Sequence, residues 1–339
     1  MLKLKVLPAN CGDSIIISFN DGDRIKNILV DGGAGTVYDD ILKDEIKKIK
    51  RIGQKIDLLI VTHTDTDHIG GIIKFIEDDF LNNCIEEVWF NSWTNFDGKP
   101  VKLSHNREKI SRISARTLEK KLLKMNIWQN KLIVQGIYRN YNKAKIMVIS
   151  PNQNSLEALR GYLKSEFQIS EADDRKKKIK VLQERNFKEN DAIPNGSSIA
   201  FVFEYDSKKI LFTGDSFPSI ILEGLEKMDF IDETKIDETK KVKFDYIKVS
   251  HHASKYNTSD GFLEKIECNN YIITTMGCNG KPNKETFARI LKYHEPLNIF
   301  FNYKTAKTEN IFTSHDLKNY QINQTYLEDN PEPYVIKVC

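Results

Sequence analysis

No stretch of this 339-residue chain approaches the roughly 20 consecutive apolar residues that a membrane-spanning helix needs. The opening, "MLKLKVLPANCGD", lacks the continuous apolar segment of a signal peptide. Leu2, Leu4 and Val6 alternate there with Lys3 and Lys5, which reads as a half-exposed strand. Cysteine is scarce: Cys11, Cys84, Cys268, Cys278 and Cys339 are scattered, odd in number and form no CxxC pair. That argues against a disulfide framework and fits reduced thiols in a cytoplasm. A net charge of +3 is too small to argue for nucleic acid by itself. No internal repeat or low-complexity tract stands out. The expectation is a cytoplasmic protein without membrane contact.

What is present suits a globular fold. Hydrophobic residues make up 40% of the chain, enough for a sizeable core, and 29% are charged. "LKLKVL", "SIIISF" and "NILVDGG" read as strands separated by Gly, Asp and Asn turns. Residues 38–52 carry Ile41, Leu42, Ile46 and Ile49 at roughly helical spacing. A buried strand "DLLIVT" follows, and a helix is expected from Gly70. "EEVWFNSW", "IMVISP", a hairpin over 197–215 turning at Asp206 and Ser207, "FDYIKVSHH", "NYIITT", "LNIFFN" and "PYVIKV" continue the strand pattern. Both halves begin with strands and then alternate strands with helices. Two mixed sheets packed face to face with helices outside, an α+β fold, would explain this. We read residues 1–339 as a single domain with charged helical insertions near 99–135 and 152–194. Residues 99–124 hold nine Lys or Arg against Glu108 and Glu119.

The densest chemistry lies in "VTHTDTDHIGG". His63, Asp65, Asp67 and His68 fall within six positions, directly after an apolar strand. Such a turn can aim His63 and Asp65 at one cation and Asp67 and His68 at another roughly 3.5–4 Å away. A helix cap with bystander histidines is the competing explanation. Two further strand ends weigh against it. "LFTGDS" places Asp215 where a carboxylate can bridge two cations, and "IKVSHHAS" places His251 and His252 after another strand. Four of the seven histidines occupy these motifs.

Asp31 in "LVDGG", "THTDTDHIGG", "FTGD" and "SHHAS" occur in the order of the metallo-β-lactamase fold superfamily. With "CGDSIIISF" and "NGSS", the set most resembles the hydrolase domain of the ComEC family of DNA-uptake proteins and its soluble relatives. The resemblance covers about residues 4–300. It implies a four-layer αβ/βα sandwich with a dinuclear site between the sheets. Most superfamily members have histidine where this chain has Asp65, and another just before the hairpin, near Asn195. Ala253 replaces the usual Gly of HHGS, and Lys281 the histidine of a later YGHP.

On this reading the second site keeps Asp67, His68, Asp215 and one of His251 or His252, since in a strand only one points inwards. The first keeps only His63, Asp65 and Asp215. Oxygen-rich ligands shift preference from Zn²⁺ towards Mn²⁺ or Mg²⁺. Asp31 is an orienting residue or a plain turn aspartate. A two-metal site makes hydroxide available near neutral pH. Asp67 can orient it, and the non-ligating one of His251 and His252 can protonate the leaving group. The expected activity is phosphodiester hydrolysis, with nuclease leading because the ComEC domain is thought to degrade DNA. Asn195, Ser197, Ser198, Ser254, Lys255 and Lys281 are candidate phosphate contacts, local turn bonding being the alternative for the hydroxyls. A small-phosphodiester enzyme (cyclic nucleotide or phosphocholine ester) is the runner-up. A non-catalytic subunit of a defence or DNA-processing assembly, beside a partner such as an ATPase, is the non-enzyme reading.

Overall fold

The computed structural model describes residues 1–92, 94–97, 110–128, 131–162, 174–230 and 241–339. Two β-sheets stack face to face and carry helices on their outer faces, as expected for the α+β class. The first sheet has six strands in the order Val335–Lys337, Leu2–Val6, Ile15–Asp21, Arg24–Val30, Leu58–Val61, Val88–Phe90. Its last three strands run parallel, and the other neighbours are antiparallel. The second sheet has eight strands: Ile322–Tyr326, Leu297–Phe301, Asn270–Ile273, Tyr246–Lys248, Lys208–Phe212, Ala200–Tyr205, Ala144–Ser150, Tyr138–Asn140. The first five of these are mutually parallel and the rest antiparallel.

Alternation along the strands builds the layers. Ile28, Leu58 and Ile60 point between the sheets and meet Phe201, Phe203 and Phe212. Leu29, Leu59 and Val61 point outwards, under Ile69, Ile72 and Phe75 of the helix Thr66–Glu77. On the opposite outer face, Leu211, Ile247 and Tyr271 pack with Phe287 and Ile290 of the helix Lys284–Tyr293. Each such side chain contributes about 1.5–3 kcal/mol on burial. Both faces of these central strands are buried, so they read as unbroken apolar runs and packing against each layer selects the register. The parallel strands of both sheets bring their carboxyl ends to one seam, where α/β folds place ligands.

The helices Ile110–Met125, Gln153–Tyr162 and Ile179–Gln183 lie in the two charged insertions. Much of the basic stretch, including His105, and Trp93 beside it, fall outside the described residues. Trp89 and Trp128 are buried. No helix among the described residues is long and apolar enough to cross a membrane.

One expectation is overturned. Cys11 and Cys278 form a disulfide, with Cα atoms 5.6 Å apart across a sequence separation of 267. The fold brings their two loops together at the seam, where Met276 N also donates to Asn10 O at 2.9 Å. Spacing along the chain carries no trace of this. Cys84 and Cys268 are free and buried.

Candidate metal centre

The strand Leu58–Val61 delivers His63 to the seam. The following helix begins at Thr66, earlier than the expected Gly70, so Asp67 and His68 lie in its first turn. The earlier start is fixed by contact with the Asp31–Gly33 turn: Gly32 N donates to His68 O and Gly71 N to Gly33 O, both at 2.9 Å. A Cβ on Gly71 would meet Gly32 O at 2.0 Å, so only glycine allows this approach. Asp65 occupies the position where an aspartate ordinarily caps a helix. Its side chain caps nothing and faces His63 Nε2 at 3.7 Å.

Asp215 follows the strand Lys208–Phe212, and His251 and His252 follow Tyr246–Lys248. The expectation that only one of these two histidines points inwards is corrected. His251, His252 and Ala253 all take left-handed backbone conformations, with φ of 49°, 56° and 64°. The strand has ended, its alternation no longer applies, and both imidazoles turn to the seam.

Each of the four imidazoles has an acceptor at Nδ1. His68 Nδ1 donates to Asp31 Oδ2 at 2.8 Å, and His252 Nδ1 to Thr274 O at 2.7 Å. His63 Nδ1 lies 3.0 Å from Thr62 Oγ1, whose own proton goes to Asp31 Oδ2 at 2.6 Å. His251 Nδ1 lies 3.1 Å from Asn257 Oδ1, while Asn257 Nδ2 donates to Asp215 O. The network therefore assigns the proton to Nδ1 in His63, His68 and His252 and leaves Nε2 to face the cluster. At His251 Nδ1 the Asn257 carbonyl competes with the amide donors of Asn190 and Asn195. All four Nε2 atoms converge on Asp215 Oδ2, at 3.7 Å from His63, 3.6 Å from His68, 3.7 Å from His251 and 3.8 Å from His252. His63 Nε2, His68 Nε2 and His252 Nε2 are buried without hydrogen-bond partners, as is Asp215 Oδ1. Lone pairs gathered round an anionic oxygen repel one another unless cations lie among them. The donor set thus fits divalent cations. Asp67, His68 and His252 form one group that could hold a cation, and His63, His68 and Asp215 form another, with His68 common to both.

The sequence profile of the Metallo-beta-lactamase superfamily matches residues 19–264. The chain belongs to this superfamily. With it comes the coarse function, a metal-dependent hydrolase with candidate sites for divalent cations. Among solved structures, the metallo-beta-lactamase fold protein YhfI from Bacillus subtilis is 11% identical, with a TM-score of 0.43 and 96% of each chain covered. CmlA, a diiron beta-hydroxylase from Streptomyces venezuelae, is 12% identical with a TM-score of 0.40, covering 96% of this chain and 53% of that one. Comparison with curated proteins finds no match.

Within this superfamily member, electrostatics keep Asp215, Asp65, His251 and His252 in their ligating forms and, without a cation, favour the protonated forms of His68 and Asp67. Burial opposes ionisation of Asp215, but His252, His251 and His68 outweigh it and hold the carboxylate well below its usual range. Burial pushes His251 down to about 4 and His252 well below its ordinary value. Lys281 adds to both shifts, which places its charge near the pair. Burial disfavours protonation of His68, yet Asp215 and Asp31 raise its pKa well above normal. Asp67 is raised by burial, whereas His63 overcomes burial to lower Asp65.

The other expected site residues distribute as follows. Asp31 is fully buried and also accepts from Thr62 N at 2.7 Å. Asn195 Nδ2 lies 3.1 Å from His251 Nδ1. Ser197 donates to Pro194 O, the local turn bond, and Ser198 Oγ accepts from Asp215 N. Ser254 is fully buried. Lys255 extends its ammonium over the Tyr256 ring at 5.0 Å. Asp13, Lys248, Asn257 and Thr274 were not singled out from the sequence. Asp13 stands in the quoted "CGDS", and Lys248 is a lone cation between Ile247 and Val249. Gly12 beside Asp13 packs on Asp67: an added Cβ would lie 1.5 Å from Asp67 O. Gly12→Ala is expected to cost about 1–3 kcal/mol of stability and to displace Asp67. Thermal melts paired with cation titration check this; unchanged values in both would refute it.

Proposed function

We propose that this protein hydrolyses phosphodiesters, with nucleic acid the leading substrate. The observation that carries the reading is Asp65, a carboxylate facing His63 where most members place an imidazole. Its side chain is 36% exposed and that of Asp67 35%, so the oxygen-rich side of the cluster is the open side. His63, Asp65, Asp215 and His251 would hold one cation, and Asp67, His68, Asp215 and His252 the other. The bound cations supply an ionisable water and Lewis acidity towards phosphoryl oxygens. Asp67 presents a carboxylate oxygen that orients the attacking water. Lys281 contributes positive charge on the side of His251 and His252, suited to phosphate. With both of these imidazoles committed, the leaving oxygen takes its proton from solvent. The order of motifs, resembling the ComEC hydrolase domain, favours a polynucleotide over a small diester.

The test is turnover of bis-p-nitrophenyl phosphate and of labelled single- and double-stranded DNA and RNA, with Mn²⁺, Mg²⁺ and Zn²⁺ supplied separately. Cleavage fastest with Mn²⁺ and extending to nucleic acid is expected. Cleavage of small diesters alone would move the substrate to that class. Absence of cleavage with every cation would overturn the reading in favour of a partner-dependent subunit.

A further inference from the structure

Beneath the cluster lies a buried ion pair that this chemistry does not use. Lys248 Nζ is 2.5 Å from Asp13 Oδ2, and the two side chains are 1% and 2% exposed. The ammonium also donates to Gly214 O at 3.0 Å and lies 3.8 Å from Asp215 Oδ1. Burying two charges costs several kcal/mol per ion, and an apolar pair of similar volume is often as stable. Stability alone therefore does not call for a lysine in the strand Tyr246–Lys248.

Its contacts give it another use. Asp13 comes from the first sheet, while Lys248, Gly214 and Thr274 come from the second. Asp13 Oδ1 accepts from Thr274 Oγ1 at 2.5 Å and lies 3.5 Å from His252 Nδ1. Asp13 Oδ2 lies 3.9 Å from His68 Nδ1. The pair thus backs His68, His252 and the shared Asp215. Among the described contacts it touches no side-chain atom of His63, Asp65 or His251, although Gly214 O, which Lys248 holds, also accepts from His251 N at 3.2 Å.

We propose that Asp13 and Lys248 are positioning residues chiefly for one cation, the one that Asp67, His68, His252 and Asp215 would hold, and touch the other only through the shared Asp215. Lys248 fixes the Gly214–Asp215 turn and the rear of the bridging carboxylate. Asp13 fixes the backs of the two imidazoles across the seam. Outer partners of metal ligands typically change affinity by about 10–100-fold when removed. This inference rests on the two-cation reading of the site and not on the phosphodiester reading.

The experiment is Mn²⁺ titration against a competing chelator, with electron paramagnetic resonance of the loaded full chain. It compares the wild type, the Asp13→Asn/Lys248→Met double variant and Thr274→Val. The double variant removes both charges together, so no buried ion is left unpaired, and its folding is checked by thermal melting. The wild type is expected to bind two Mn²⁺ with an exchange-coupled spectrum. The folded double variant should weaken one affinity by about 10–100-fold, weaken the other by less through the shared Asp215, and lose the coupled spectrum at matched loading. Thr274→Val should weaken the same cation by less. A folded double variant with both affinities intact overturns the proposal. If the double variant does not fold, Thr274→Val with both affinities unchanged overturns it. A wild type that binds fewer than two cations would instead bring down the two-cation reading itself.

Discussion

Asp215→Ala is expected to lose two-cation binding and to lower phosphodiester turnover by at least ~10³-fold, a barrier increase of about 4 kcal/mol. No other carboxylate in the cluster has its place. Asp215 Oδ2 is the atom on which four imidazole Nε2 atoms converge, at 3.6–3.8 Å. Removing it leaves those nitrogens without their shared anionic partner. Asp215→Asn keeps the shape without the charge and should fail comparably. Melting adds a readout free of substrate. A ligand at 100 times its Kd stabilises the folded state by about 2.7 kcal/mol. Mn²⁺ should therefore raise the wild-type Tm, chelation should reverse the rise, and neither should move the variant. Turnover within tenfold of wild type would sink the mechanism.

His251→Ala and His252→Ala are expected each to cost roughly 10²-fold or more in turnover while losing different cations. His252 Nε2 stands 4.0 Å from Asp67 Oδ2 and belongs with His68. His251 is held among Asn190, Asn195 and Asn257, away from Asp67. We assign it to the group of His63, which thereby regains an imidazole from an unexpected place. Chelator competition should show one weakened and one intact affinity in each variant, in opposite order. If either alanine leaves both affinities and turnover unchanged, that histidine is not a ligand.

The strands were legible because an apolar run bounded by turn residues is a local signal; that Leu58 and Ile60 face inwards and Leu59 and Val61 outwards was not, because an unbroken apolar run carries no alternation. Strand-end placement of His63 and Asp215 was legible from the same bounded runs. The use of both His251 and His252 was not, because three successive left-handed residues obey no periodicity and none of them is glycine. Lys248 and Asp13 were missed because their pairing spans 235 positions and two sheets (248 − 13); each alone reads as an ordinary charge. The Cys11–Cys278 bridge was missed on the same ground. The start of the helix at Thr66 was set by contact with the Asp31–Gly33 turn, which no propensity scale contains.

The origin of the ligands has one more consequence. His63, Asp65, Asp67 and His68 descend from the six-stranded sheet, and Asp215, His251 and His252 from the eight-stranded one. Neither half of the chain owns a complete binding shell. On the proposed ligand set, cation uptake would be linked to the docking of the two halves, and a chain that had emerged only in part from the ribosome would lack the second half's share of the ligands.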